Sequence, residues 1–74
     1  MAWEQVPGAA LDIEIGPDGE VWMIGQDEGI YRWTGSDWEQ VVGTAVRIAV
    51  GPSGEPWVLD HAGGIFRWVW AEDE

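Results

Sequence analysis

An all-β fold is predicted, and three observations carry that prediction. Residues 3–37 and 38–72 are one segment written twice, aligned without a gap at a period of 35 residues with 16 of 35 positions identical. Each copy consists of short apolar runs, some alternating strictly with polar residues, separated by Gly-containing breaks. Eleven Gly and four Pro, with no sustained 3.6-residue period, leave no room for an α-helix.

The elements follow in order. Residues 11–15 alternate Leu11, Ile13 and Ile15 with Asp12 and Glu14, the period of a strand. Gly16-Pro17-Asp18-Gly19 places Pro second and Gly fourth, which suits a tight turn. Residues 21–24 form a second strand, 25–29 a loop, and 30–33 a third strand rich in aromatic and β-branched side chains. Residues 34–37 turn the chain into a fourth strand at 38–42. The second copy repeats this with a strand at 46–50, the turn Gly51-Pro52-Ser53-Gly54, a strand at 56–59 and a strand at 65–69. Pro56 opens its strand, where a missing N–H is tolerated. With residues 3–6, which match 38–41, the expectation is eight strands in two sets of four.

Four short antiparallel strands per repeat of roughly 40 residues describe the blade of a β-propeller. The order of the strands is informative. The chain opens with the segment that closes a blade in mid-chain, and its second blade stops after a third strand. The expectation is inter-subunit strand exchange: residues 3–6 complete a blade in a neighbouring copy and cover its sheet edge. Trp3, Glu4 and Val6 would then meet Ile65, Phe66 and Trp68. A propeller needs roughly 4–8 blades. Two blades per chain allow a dimer, a trimer or a tetramer, and a six-bladed homotrimer with head-to-tail contacts is favoured. Asp12 aligns with Arg47, so the inner strands would alternate in charge around such a ring.

Composition points the same way. Seven Trp in 74 residues, each able to bury roughly 150–250 Å², are more than two small sheets can hide. Cys is absent, so neither disulfides nor thiolate zinc sites support the fold, and the compartment stays open. A net charge of −11, from 3 basic and 14 acidic residues, argues against nucleic acid and anionic membranes as partners. No apolar run is long enough to span a bilayer. Met1-Ala2-Trp3-Glu4 has no basic n-region or apolar h-region, so no signal peptide is expected.

The repeat resembles the tectonin repeat. The shared pattern is Trp3, Val6-x-Gly8, Ile13, Gly16, Gly19, Val21-Trp22 and Gly29-Ile30-Tyr31-Arg32. It recurs as Trp38, Val41-x-Gly43, Ile48, Gly51, Gly54, Trp57 and Gly64-Ile65-Phe66-Arg67. The resemblance covers residues 3–68. It implies a β-propeller, often six-bladed, with a lectin activity toward cell-surface or microbial glycans in several members. Two departures stand out. Family propellers usually carry the whole ring in one chain, and Pro56 replaces the apolar residue before Trp57.

Catalysis is not expected. His61 is the only His and Cys is absent, so no Ser–His or Cys–His system is specified, and no cofactor or metal is implied. Trp33, Trp68 and Trp70, at or beyond third-strand ends, are the candidates for stacking on a sugar. An aromatic plane covers the apolar face of a pyranose while acidic groups accept its hydroxyl hydrogens. Asp27, Glu28, Asp60 and His61, on equivalent loops, are the candidate polar contacts. Trp22 and Trp57 are expected to pack between blades, Trp3 and Trp38 to cover blade edges, and Arg32 and Arg67 to pair with carboxylates. The leading functional expectation is a multivalent carbohydrate-binding module. The alternative is a structural or protein-interaction scaffold, recently amplified or engineered, without a ligand of its own.

Overall fold

The computed structural model describes residues 1–69. Among them the chain is all-β, with seven strands in two antiparallel sheets and no helix. Sheet one runs β1 (Ala10–Ile15), β2 (Val21–Gly25), β3 (Gly29–Trp33) and β4 (Trp38–Thr44), each strand beside the next. Sheet two runs β5 (Arg47–Val50), β6 (Pro56–Leu59) and β7 (Ile65–Arg67) in the same way.

The two sheets are made by the same local chemistry. At the first turn Gly19 N–H donates to the Gly16 carbonyl (3.0 Å) and Gly16 N–H to that of Glu20 (2.8 Å). One repeat later Gly54 donates to Gly51 (2.9 Å) and Gly51 to Glu55 (2.8 Å). The fourth turn residues have φ of +87° and +88°, a conformation that costs Gly little and other residues more. The β3–β4 hairpin is closed by Thr34, whose N–H and hydroxyl both donate to the Asp37 carbonyl.

Strand alternation assigns two faces to sheet one. Trp22 stands opposite Arg32, and Ile24 opposite Ile30, on the face turned to sheet two. Met23 stands opposite Ile13 and Tyr31 on the other face. The core is the seam between the sheets: Trp22, Ile24 and Ile30 pack on Ala45 and Ile48, flanked by Val41, Val50 and Val58. Asp12 ties the seam at its inner edge, where its Oδ2 accepts from Ile48 N–H at 2.8 Å.

The expected two sets of four strands are found in part. Sheet two has three strands among the described residues rather than four, because residues 3–6 form no strand. Their counterpart, β4, already occupies the edge of β3, and residues 3–6 pair with no strand of the described chain. The alternation in β1 separates two unlike faces. Leu11, Ile13 and Ile15 are exposed, whereas Asp12 and Glu14 are half-buried. The acidic side of β1 lies toward sheet two, and its apolar side lies on the outer face, where Leu11, Ile13 and Ile15 stay exposed. The third strand of sheet two ends at Arg67, two residues short of the expected 69.

Candidate functional site

The two loops joining second and third strands, 26–28 and 60–64, come together. Glu28 Oε1 lies 3.5 Å from His61 Nδ1, an ion pair when the imidazole is protonated. Glu28 takes a left-handed backbone (φ +66°) where the second copy has Gly63 (φ +87°). The aspartates hold these loops in shape. Asp27 Oδ1 accepts from Gly29 N–H (2.9 Å) and its Oδ2 from the Tyr31 hydroxyl (2.7 Å). Asp60 Oδ1 accepts from Ala62 N–H (3.0 Å) and Gly64 N–H (2.7 Å). The Tyr31 hydrogen bond, followed by that from Gly29, holds the Asp27 carboxyl below the usual carboxylate range. The same bond raises the Tyr31 phenol, because ionising it would leave the carboxylate without its proton donor. Among the described residues no three His, Cys, Asp or Glu side chains gather as metal ligands would.

The candidate tryptophans Trp33 and Trp68 stand on equivalent faces of their own sheets, and only that face of sheet two meets the other sheet. Trp33 meets Trp38 edge-on, with ring centroids 4.9 Å apart, on the outer face of sheet one. There Trp38 Nε1–H donates to the Pro7 carbonyl at 2.7 Å, binding the N-terminal segment to that face. Trp33 and Trp38 border a hollow of about 230 Å³ with Val6, Ile13 and Met23. Trp68, the counterpart of Trp33 one repeat later, instead lines the cleft between the sheets. Trp70 lies outside the described residues.

A cleft also lies between the two sheets. It encloses about 300 Å³ between Trp22, Ile30 and the β4 segment 41–44 on one side and Pro56, Val58, Phe66 and Trp68 on the other. Asp60 and Arg67 supply its charged groups. It therefore brings together two sequence candidates, Asp60 and Trp68, and adds Trp22, which sequence reasoning assigned to packing. Trp22 does pack, being almost fully buried. Its Nε1, however, is a buried donor with no acceptor among the described residues, and such groups are uncommon in folded proteins. Trp22 and Trp68 also line an adjoining hollow of about 270 Å³ with Arg32, Glu39 and Gln40. There Arg32 is paired with Glu39 at 2.7 Å, as expected for a cation in an acidic chain. Arg67 departs from that expectation, with its guanidinium over the Trp57 ring at 5.5 Å.

The only sequence signal for the cleft was that Trp22 recurs at Trp57. Which copy of that Trp would border a cavity depends on the other sheet. No individual curated protein matches the chain. The family model of the tectonin domain matches residues 9–72, nearly the whole sequence. With that share of its length matched, the chain belongs to the tectonin domain family.

Proposed function

We infer that this chain is a carbohydrate-binding module, lectin-like, that acts as part of a closed ring of blades with one sugar cleft at each seam between neighbours. The observation that carries the reading is the inter-sheet cleft with the unpaired Trp22 Nε1 donor and the Trp68 ring at its border. The apolar lining suits the C–H face of a pyranose, and the buried indole N–H suits a hydroxyl or ether oxygen. Asp60 and Arg67 at the same cleft give hydroxyls an acceptor and a donor. Family membership supports the same reading. Individual sugar sites of this size bind weakly, and repetition around a ring raises avidity without new contacts. Two blades per copy make a trimer the six-bladed solution.

A glycan array followed by titration calorimetry tests the reading. Trp22→Phe keeps an aromatic ring in the core and removes the donor. Its affinity for an array hit is expected to fall about tenfold, the effect of losing one hydrogen bond of about 1.4 kcal/mol. Silence across a broad array, or unchanged affinity in Trp22→Phe, would sink the sugar reading. The second reading is a scaffold or protein-interaction piece without a ligand. It draws support from Asp27 and Asp60, whose carboxylates are engaged by their own loops. Recovery of one defined protein partner with no glycan signal would favour it.

A further inference from the structure

The contact between the two sheets has a second, open version on the outside of the molecule. Trp22, Ile24 and Ile30, which sheet one presents to sheet two, are 3%, 0% and 7% exposed. Their counterparts one repeat later, Trp57, Leu59 and Ile65, are 42%, 39% and 69% exposed on the far face of sheet two. The receiving side behaves likewise. Ile48 is 5% exposed beneath sheet one, whereas its counterpart Ile13 is 57% exposed. One molecule thus carries both halves of a contact that it also contains in closed form.

The edges repeat the pattern. β4 runs along β3 with Trp38 opposite Trp33, Glu39 opposite Arg32 and Val41 opposite Ile30. One repeat later, β7 is an edge strand of its sheet, and the counterparts of Trp38, Glu39 and Val41 are Trp3, Glu4 and Val6. Gly8 has φ of +120° and its counterpart Gly43 +113°. The backbone leaving residues 3–6 therefore already bends as it does where β4 hands over to β5. Charges are complementary as well. Arg32 holds Glu39 within the chain, and the equivalent pair across copies is Arg67 with Glu4. Asp12 reaches Ile48 N–H within the chain. Arg47 is the counterpart of Asp12 one repeat later, and Ile13 that of Ile48, so the equivalent contact across copies would set Arg47 beside Ile13 and Asp12.

We propose that the outer face of sheet two, with the edge of β7, is a docking surface for a second copy of this chain. That copy lays residues 3–6 along β7 as a fourth strand and packs the Ile13 face of its sheet one onto Trp57, Leu59 and Ile65. The proposal rests on the ring reading above and names the contact that builds the ring. The contact is head-to-tail, so each copy offers one half to each neighbour, and repetition closes a ring or extends a filament. It also gives a burial for the apolar side of β1, which the single chain leaves in water.

The test uses two variants, each disabling one half. Ile65→Asp removes the apolar edge of the docking face, and Ile13→Asp removes that of the incoming face. Both side chains are exposed in the single chain, so both variants are expected to keep the wild-type far-UV circular dichroism. In sedimentation velocity at micromolar concentration the wild type is expected to run as more than one chain, and each variant alone as one. An equimolar mixture of the variants is expected to run as two chains, because one intact half survives on each. A single-chain wild type, variants that keep the wild-type mass, or a mixture that stays at one chain would each overturn the proposal. Should a variant unfold, Glu4→Arg replaces it. It is expected to weaken association roughly threefold, with recovery in Glu4→Arg/Arg67→Glu; absence of both effects counts against the proposed register. Glycan binding by a single-chain species would refute the docking contact and leave the sugar reading standing. Assembly without glycan binding would do the reverse.

Discussion

Asp12 shows how one carboxylate can join two blades. Its Oδ1 accepts from the neighbouring Ile13 N–H (3.0 Å) and its Oδ2 from Ile48 N–H across the seam (2.8 Å). Asp12→Asn keeps an acceptor and is expected to cost little. Asp12→Ala leaves the Ile48 N–H unpaired at a half-buried seam and is expected to cost about 1–3 kcal/mol in urea unfolding. Equal losses in the two variants would show that charge, not the hydrogen bond, matters. Asp27 and Tyr31 give a pH signature. The Asp27 carboxyl titrates lower in the folded chain, so its contribution is complete above the unfolded carboxylate range near 4 and fades as pH falls through the lowered value. The Tyr31 phenol titrates higher, so its contribution is complete below about 10 and fades as pH rises through the raised value. Tyr31→Phe is therefore expected to lower the urea midpoint between about pH 5 and 9 and to converge on wild type at both extremes. A constant offset at every pH would exclude this linkage. Neither aspartate role was legible in the sequence, because hydrogen bonds to a specific N–H depend on where the chain folds back.

At the scale of strands and turns, much was legible. The Gly-Pro-x-Gly turns, the absence of helix among the described residues and all seven strand positions, five of them to within one residue at each end, follow from local chemistry: period-two alternation, β-branched and aromatic runs, and turn residues that accept positive φ. Strand β4 runs on to Thr44, beyond the expected 42. The extension includes Gly43, where the strand bends toward sheet two with φ of +113°. A Cβ there would meet Ile30 Cδ1 at 3.4 Å. Gly43→Ala is expected to destabilise by about 1–3 kcal/mol, mainly through backbone strain. A thermal midpoint equal to wild type would show that the bend relaxes without Gly. Residues 3–6 mark the limit of local reading. They carry the same Trp-Glu-Gln-Val as β4 but form no strand, because a β-strand is defined by the edge beside it.

For the whole molecule, the exposed apolar face of β1 and the exposed Trp57, Leu59 and Ile65 leave much of the small core unfinished. A chain of this size is marginal on its own, and association that buries these faces adds to stability by mass action. The thermal midpoint is accordingly expected to rise by several degrees over a hundredfold increase in protein concentration, and to be independent of concentration in Ile13→Asp. A wild-type midpoint that ignores concentration would indicate that the single chain is already complete in stability.

Sequence alone determined the repeated unit, its strands and turns, and the acidic, Trp-rich composition, because turn geometry and strand alternation are set by neighbours along the chain. Only the tertiary structure decided which side of each strand is covered. The alternation in β1 is equally consistent with either face being inward, and it is the position of sheet two that turns Asp12 and Glu14 toward the seam and leaves Leu11, Ile13 and Ile15 outside. The cleft has the same origin. Trp22 and Trp57 are identical in type and local sequence role, yet one is almost fully buried at the seam and the other is 42% exposed, since burial is a property of the surface packed against a residue and not of the residue itself.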